Sequence, residues 1–252
     1  MPGTGTAPRP RAAREAPPDK PTAKAFMERL EAKATEAERR KYDRYFPPAA
    51  RGGDVFIGVR MGTVFELARA FAAMPPSEIE QLLDSEIHEA RAGAVSTMAR
   101  QYALKATTDE RRKELYRLYL RQHDRINAWD LVDLGAYQVV GAWLVGRPHA
   151  PLFKLAKSNN PWERRTAIVA TYAFIRRGDC RDTFAIAELL RNEPVELVQK
   201  AAGWMLRCTG RDRDQLTAFL EAHAAHMPRA MLRNAIETFP PAERARFLAI
   251  RP

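Results

Sequence analysis

The sequence is poor in the residues that build metal centres and disulfide frameworks. Two cysteines in 252 residues, Cys180 and Cys208, cannot form a disulfide framework or a four-ligand zinc site by themselves. Each is expected to fill a small apolar position on a helix of a reduced, cytoplasmic protein. His123, His149, His223 and His226 do not make a metal set. His223 and His226 share a helical face, but no carboxylate or cysteine at ligand spacing completes it, and solvated surface is the better reading. No apolar run approaches the roughly 20 residues of a membrane span, so no membrane partner is expected. The start, Met1-Pro2-Gly3-Thr4, lacks the apolar core of a secretion signal, and export is not expected. Walker loop, GxSxG and dinucleotide fingerprints are all missing. The reading calls for no metal and no cofactor.

What the chain does have is positive charge and helical period. The formal net charge is +10. Such a balance favours polyanionic partners and steered association, although an arginine- and alanine-rich coding bias would produce the same figure. The placement of the arginines has to decide. Residues 1–21 hold Pro2, Pro8, Pro10, Pro17 and Pro18 with Arg9, Arg11 and Arg14, and read as a disordered basic tail. Residues 22–252 read as one all-α domain. Thr22 to Arg44 is rich in good helix formers. Val55-Phe56-Ile57-Gly58-Val59 is the one place where a strand could be argued, but a buried loop leading into a helix fits better. Ser77-Glu78-Ile79-Glu80 has the form of a capping box. Further helices are expected over 86–103, 109–122, 127–146 with a break, 151–158, 162–177, 182–191, 195–209, 213–225, 229–238 and 241–249. Signals such as Ser158-Asn159-Asn160-Pro161 and Asn192-Glu193-Pro194 separate them. Short helices on short turns are the texture of a HEAT-like solenoid of antiparallel helix pairs, curved with a basic concave face. A monomer is expected.

Three tryptophans stand beside charge instead of leucine. Trp129 and Asp133 are one helical turn apart and share a face. A carboxylate beside an indole is partly desolvated and attracts a cation strongly, although a core tryptophan with aspartates at a helix start would look the same. Asp130 falls in the first helical turn, where it complements the macrodipole. Trp162 is followed by Arg164 and Arg165 at a helix N-terminus, which suits phosphate unless neighbouring acids neutralise both. Lys200, Trp204, Arg207 and Arg211 form a basic stripe with an aromatic inside it. Gly203, costing up to about 1 kcal/mol against alanine, suggests that another backbone or a ligand comes close. Trp143 is most simply core.

These segments together resemble the AlkD-like DNA alkylation-repair family of HEAT-like DNA glycosylases. The matching boxes are Trp129-Asp130-Leu131-Val132-Asp133, Trp162-Glu163-Arg164-Arg165-Thr166-Ala167-Ile168 and Gln199-Lys200-Ala201-Ala202-Gly203-Trp204-Met205-Leu206-Arg207. Phe56-Ile57-Gly58-Val59 is similar to the family's early F-x-G-[IV] motif, while Arg60-Met61-Gly62 departs from the polar loop that follows it. The likeness runs from about Phe56 to about Ile236. It implies an enzyme that releases cationic alkylpurines, 3-methyladenine and 7-methylguanine, from double-stranded DNA without flipping the base. Asp133 would be the catalytic carboxylate, with Trp129 and Trp204 against the deoxyribose. Arg165 would hold the backbone near the lesion, and Arg164, Lys200, Arg207 and Arg233 would bind DNA. Trp162 would position Arg165. A nucleic-acid-binding solenoid without glycosylase activity is the runner-up. A protein-binding scaffold would show no salt-sensitive affinity for DNA.

Overall fold

Where proline, glycine, threonine and asparagine punctuate the chain, the helices of the computed structural model begin and end. It describes residues 15–46, 53–210 and 213–250. The order is α1 Ala23–Glu31, α2 Glu36–Tyr42, α3 Met61–Ala70, α4 Pro76–Leu83, α5 His88–Ala103 and α6 Asp109–Arg121. Then follow α7 Trp129–Gly135, a π-helical segment Ala136–Gly141, α8 Ala142–Leu144, α9 Ala150–Ala156, α10 Pro161–Ala170 and α11 Tyr172–Ile175. The last five are α12 Arg181–Leu189, α13 Glu196–Cys208, α14 Arg213–His223, α15 Arg229–Ala235 and α16 Pro241–Ala249. Among the described residues there is no strand, only an isolated bridge between Val55 and Ile87. No described helix is long and apolar enough to cross a membrane. Cys180 and Cys208 are not joined in a disulfide.

The fold is an all-helical repeat solenoid in which successive inner helices stack. Helices α3, α4 and α7 pack on α5, α10 packs on α7, α9 and α13, and α13 packs on α15. Helix α5 is the hub. Its sequence, His-Glu-Ala-Arg-Ala-Gly-Ala-Val, is small enough to be covered on every side, and twelve of its sixteen residues are buried. One apolar cluster runs from Phe26 to Phe247.

Two expectations change at the N-terminal end. The helical stretch after Thr22 is broken in two by a second cap: Thr35 has extended backbone, and its Oγ1 accepts from the Glu38 amide at 3.3 Å. The capping box at Ser77 does not form. Helix α4 starts at Pro76, whose fixed φ suits the first helical position, so Ser77 already lies inside the helix. Glu78 instead accepts from the Ala23 amide at 2.7 Å, and Glu80 pairs with Arg121. The expected tail lies mostly outside the described residues. From residue 15 onward the chain is tied to α1 and the turn after it, by Arg29 donating to the Ala16 carbonyl and by Lys33 with Glu15.

Two glycines fix close approaches. Gly58 has φ +86°, and a Cβ there would strike the Thr35 carbonyl and the Arg39 amide. It lets the Phe56–Val59 loop lie against α2 while Glu89 accepts from the Ile57, Gly58 and Val59 amides. Gly203 lets α13 touch α15, because a Cβ would meet the Met231 carbonyl oxygen. Gly203→Ala is therefore expected to lower unfolding free energy by roughly 1–3 kcal/mol from overpacking, although alanine is the better helix former. Urea unfolding checks this, and a stabilised variant would refute the packing argument.

Candidate active-site cleft

Asn160 starts α10, its side chain accepting from the Trp162 amide at 2.9 Å with Pro161 next in line. The helix then turns Arg164 and Arg165 in different directions. Arg165 is buried and grips Asp133 of α7 in bidentate fashion, Nε–Oδ1 3.1 Å and Nη2–Oδ2 2.8 Å. Its remaining Nη1 donates to the Leu197 carbonyl at the start of α13. Three successive repeats thus meet at one guanidinium. Burial pushes the Asp133 carboxyl above the ordinary carboxylate range, and Arg165 opposes that rise without cancelling it.

Asp133 and Trp129 open together into a cleft of about 760 Å³. Its other wall comes from the end of α2 and the start of α3: Tyr42, Tyr45, Phe46, Met61 and Phe65, with Glu38, Lys41 and Arg60 at the polar edges. Phe46 lies nearly parallel to Trp129, ring centres 5.7 Å apart, and covers one indole face. Tyr42 is fixed by donating to the Val59 carbonyl at 2.6 Å. Lys41 lies in the cleft, paired with Glu38 at 2.5 Å.

Behind the cleft is a charged cluster that sequence reasoning missed. His88, the first residue of α5, has no exposed side-chain surface and donates from Nδ1 to Asp54 and from Nε2 to Asp130, both at 2.8 Å. Arg91 pairs with Asp54 as well. Burial disfavours a charged imidazole, but hydrogen bonds and charge from Asp130 and Asp54 outweigh it and raise the His88 pKa to about 9. Asp54 resists the same burial through His88 and Arg91 and stays below its ordinary value. Asp130 does occupy the first turn of α7, and also accepts from the Leu131 amide at 2.9 Å. Phe56 stacks on the His88 ring at 4.6 Å, which is the structural use of the Phe56–Val59 motif.

The other candidates are placed differently. Arg164 is spent on a nearly buried Glu193, at 2.6 and 2.7 Å, and on the Ser158 and Asn159 carbonyls. Lys200 pairs with Glu196 on its own helix, and Arg207 with Glu237. Arg233 is exposed, and Arg211 lies outside the described residues. Trp204 does not line the Trp129–Asp133 cleft. It sits 6.4 Å from the Tyr172 ring, which meets Tyr137 edge-on at 5.2 Å. Trp143 is half-buried, between Tyr116 and the Arg147 guanidinium.

The cleft continues along the inner helices. Phe65 and Leu134 also line a second hollow with Arg69 and Arg100. Gln138 links that hollow to a third one carrying Tyr137, Arg112, Arg147, Arg176 and Arg177. A carboxylate clamped at an aromatic cleft, from which a trough edged with arginine leads away, can hold a cation on a polyanionic strand. A family model described as DNA alkylation repair enzyme matches residues 26–239. The chain belongs to that family. No curated protein matches the chain. The match takes in both walls of the cleft, from α2 through α13. As a DNA alkylation repair enzyme, the protein has DNA as its substrate.

Proposed function

We propose that this family member is a monofunctional DNA glycosylase that hydrolyses the N-glycosidic bond of cationic alkylpurines such as 3-methyladenine and 7-methylguanine in duplex DNA. The observation that supports this reading is Asp133, an ionisable carboxylate held by Arg165 at the mouth of an aromatic cleft. Alkylation at N3 or N7 makes the purine a cation. When the glycosidic bond breaks, its electron pair goes to the base, which leaves neutral and needs no general acid. Positive charge develops on the sugar instead. Preorganised negative charge and the indole face of Trp129 stabilise that charge where it forms. Water adds to the sugar carbon, with Asp133 placed to accept its proton. Lys41, the lysine that lines the cleft, is held in an ion pair by Glu38 and is not turned toward the sugar at Asp133 as a nucleophile in this reading, so strand cleavage through a Schiff base is not expected.

Arg165 serves this reaction by orienting Asp133, since each of its three nitrogens donates to Asp133 or to the Leu197 carbonyl. Contact with phosphate falls to Arg207, Lys200 and Arg233, together with Arg176 and Arg177 of the third hollow. The test is release of free base from duplex carrying 7-methylguanine. Wild-type protein that releases nothing above the spontaneous rate sinks the proposal. For Arg207→Ala, binding to lesion and unmodified duplexes should weaken alike, and the salt slope should flatten by about one. Loss confined to lesion duplexes would contradict a phosphate role.

A further inference from the structure

Asp133 and Trp129 can stabilise a sugar cation only if the right sugar is brought to them, and the second hollow has the groups to do so. It lies where α3, α5 and the π-helical segment meet, with a volume of about 250 Å³. Arg69 of α3 and Arg100 of α5 are the charged residues on its lining, which carries no carboxylate. Neither guanidinium has a hydrogen-bond or ion-pair partner among the described residues. We propose that this hollow seats one backbone phosphate of the lesion strand, gripped by both guanidinium forks, and so sets which sugar stands at Asp133. This inference rests on the glycosylase reading and adds to it the residues that place the substrate.

Charge, size and position all favour a phosphate there. Other cations along the trough are engaged: Lys41 by Glu38, Arg165 by Asp133, and Arg112 and Arg147 by Asp109. Two guanidinium groups left in one hollow without an acid repel each other unless an anion joins them, and their planar forks match phosphate oxygens. Ser96 is on the same lining, and its Oγ has no hydrogen-bond partner among the described residues. At about 250 Å³ the hollow falls below the ordinary range for whole small-molecule sites, so it takes a group and not a molecule. Leu134, the residue after Asp133, lines both cleft and hollow, and Gln138, about one turn on, lines the hollow. A helical turn spans about 5.4 Å and a DNA strand advances about 3.4 Å per nucleotide. A phosphate seated here is therefore within about two nucleotides of the sugar at Asp133. A base that stays stacked offers no base pocket to fix its position, so register has to come from the backbone.

Methylphosphonate scanning tests this, because each substitution removes one charge at one known position. Duplexes carrying uncleavable 2′-fluoro-7-methylguanine receive a single methylphosphonate at successive positions of either strand. Affinity is measured for wild type, for Arg69→Gln/Arg100→Gln, and for Lys113→Gln/Arg117→Gln, a charge-matched control pair exposed on α6. In wild type and the control, affinity should drop several-fold at a lesion-strand position within two nucleotides of the lesion. In the Arg69/Arg100 variant that drop should vanish while drops elsewhere remain. Its salt slope on the unsubstituted duplex should flatten by about one, since both forks hold a single phosphate. In a second arm, release of 7-methylguanine at saturating protein should slow on the order of tenfold or more in this variant and not in the control, because a sugar shifted by an ångström misses Asp133. A variant that keeps the wild-type interference profile overturns the proposal, as does one whose lost drop lies on the complementary strand. So does a slope that flattens by two, which would mean separate phosphates, or weaker binding with an unchanged saturated rate, which would mean affinity without register. Interference as expected but no base release by wild type would leave the phosphate seat standing and sink the glycosylase reading.

Discussion

Asp133→Asn is expected to lower single-turnover release of 7-methylguanine by about 10²–10³-fold, the usual cost of deleting one preorganised electrostatic contact. Duplex affinity should change little, because the side chain faces the cleft and its partner is a protein guanidinium. Wild-type release should fall on the acid side with an apparent pKa above the ordinary carboxylate range, since burial lifts the Asp133 carboxyl and only the ionised form stabilises a sugar cation. The residual activity of Asp133→Asn should show no such limb. Arg165→Met would remove the one cation that opposes the burial effect, so the limb should move further up. It would also leave a largely desolvated carboxylate without its partner, at a cost of roughly 3–5 kcal/mol in unfolding free energy. A double change, Asp133→Asn with Arg165→Met, should regain part of that stability and none of the activity. Equal rates for Asp133→Asn and wild type would remove Asp133 from the mechanism while leaving the activity in place.

Helix positions were legible because their causes are local. Pro161 after Asn160, Pro241 after Pro240 and the Arg147–Pro148 break act within a few residues of themselves, and α10, α16 and α9 begin near those marks. The split at Thr35 carried the same local signal, Thr35 with Glu38 three residues on, hidden inside a run of strong helix formers. The break expected within 127–146 is a π-helical segment after Gly135, which a 3.6-residue period cannot describe. Trp129 and Asp133 could be paired from their spacing alone. The partners of charge could not, because they come from distant repeats. Glu193 is 29 residues from Arg164, and Asp54 and Asp130 are 34 and 42 residues from His88. Lys200 is the instructive exception: Glu196, one turn earlier, already showed that the basic stripe was partly neutralised. The aromatic wall was invisible for another reason. Tyr45 and Phe65 line one cleft with Trp129 because Gly58 and Glu89 hold the Phe56–Val59 loop between α2 and α5.

Alkaline pH is expected to loosen the α5–α7 junction through His88. Its pKa in the folded protein is about 9, against an ordinary 6.5, so the folded state holds the proton more tightly than the unfolded chain. A raised folded-state pKa contributes stability that is fully present below about 6.5 and lost as pH climbs to about 9. The shift corresponds to about 3 kcal/mol, and the side chain is fully buried, so solvent does not screen it away. Urea unfolding of wild type at pH 6 and pH 9.5 should therefore differ by about 3 kcal/mol more than the same comparison on His88→Gln. Parallel losses in the two proteins would rule out His88 as the source. Function should follow the same titration. Neutral imidazole can donate to only one of Asp54 and Asp130, which would then repel each other across it with only Arg91 as counter-charge. Asp130 lies in the first turn of α7 between Trp129 and Asp133 and accepts from the Leu131 amide, so its release would disturb the cleft before the protein unfolds. Base release should accordingly decline at alkaline pH in wild type, along the imidazole titration followed by NMR, and a rate that stays flat through that titration would separate the cluster from the chemistry.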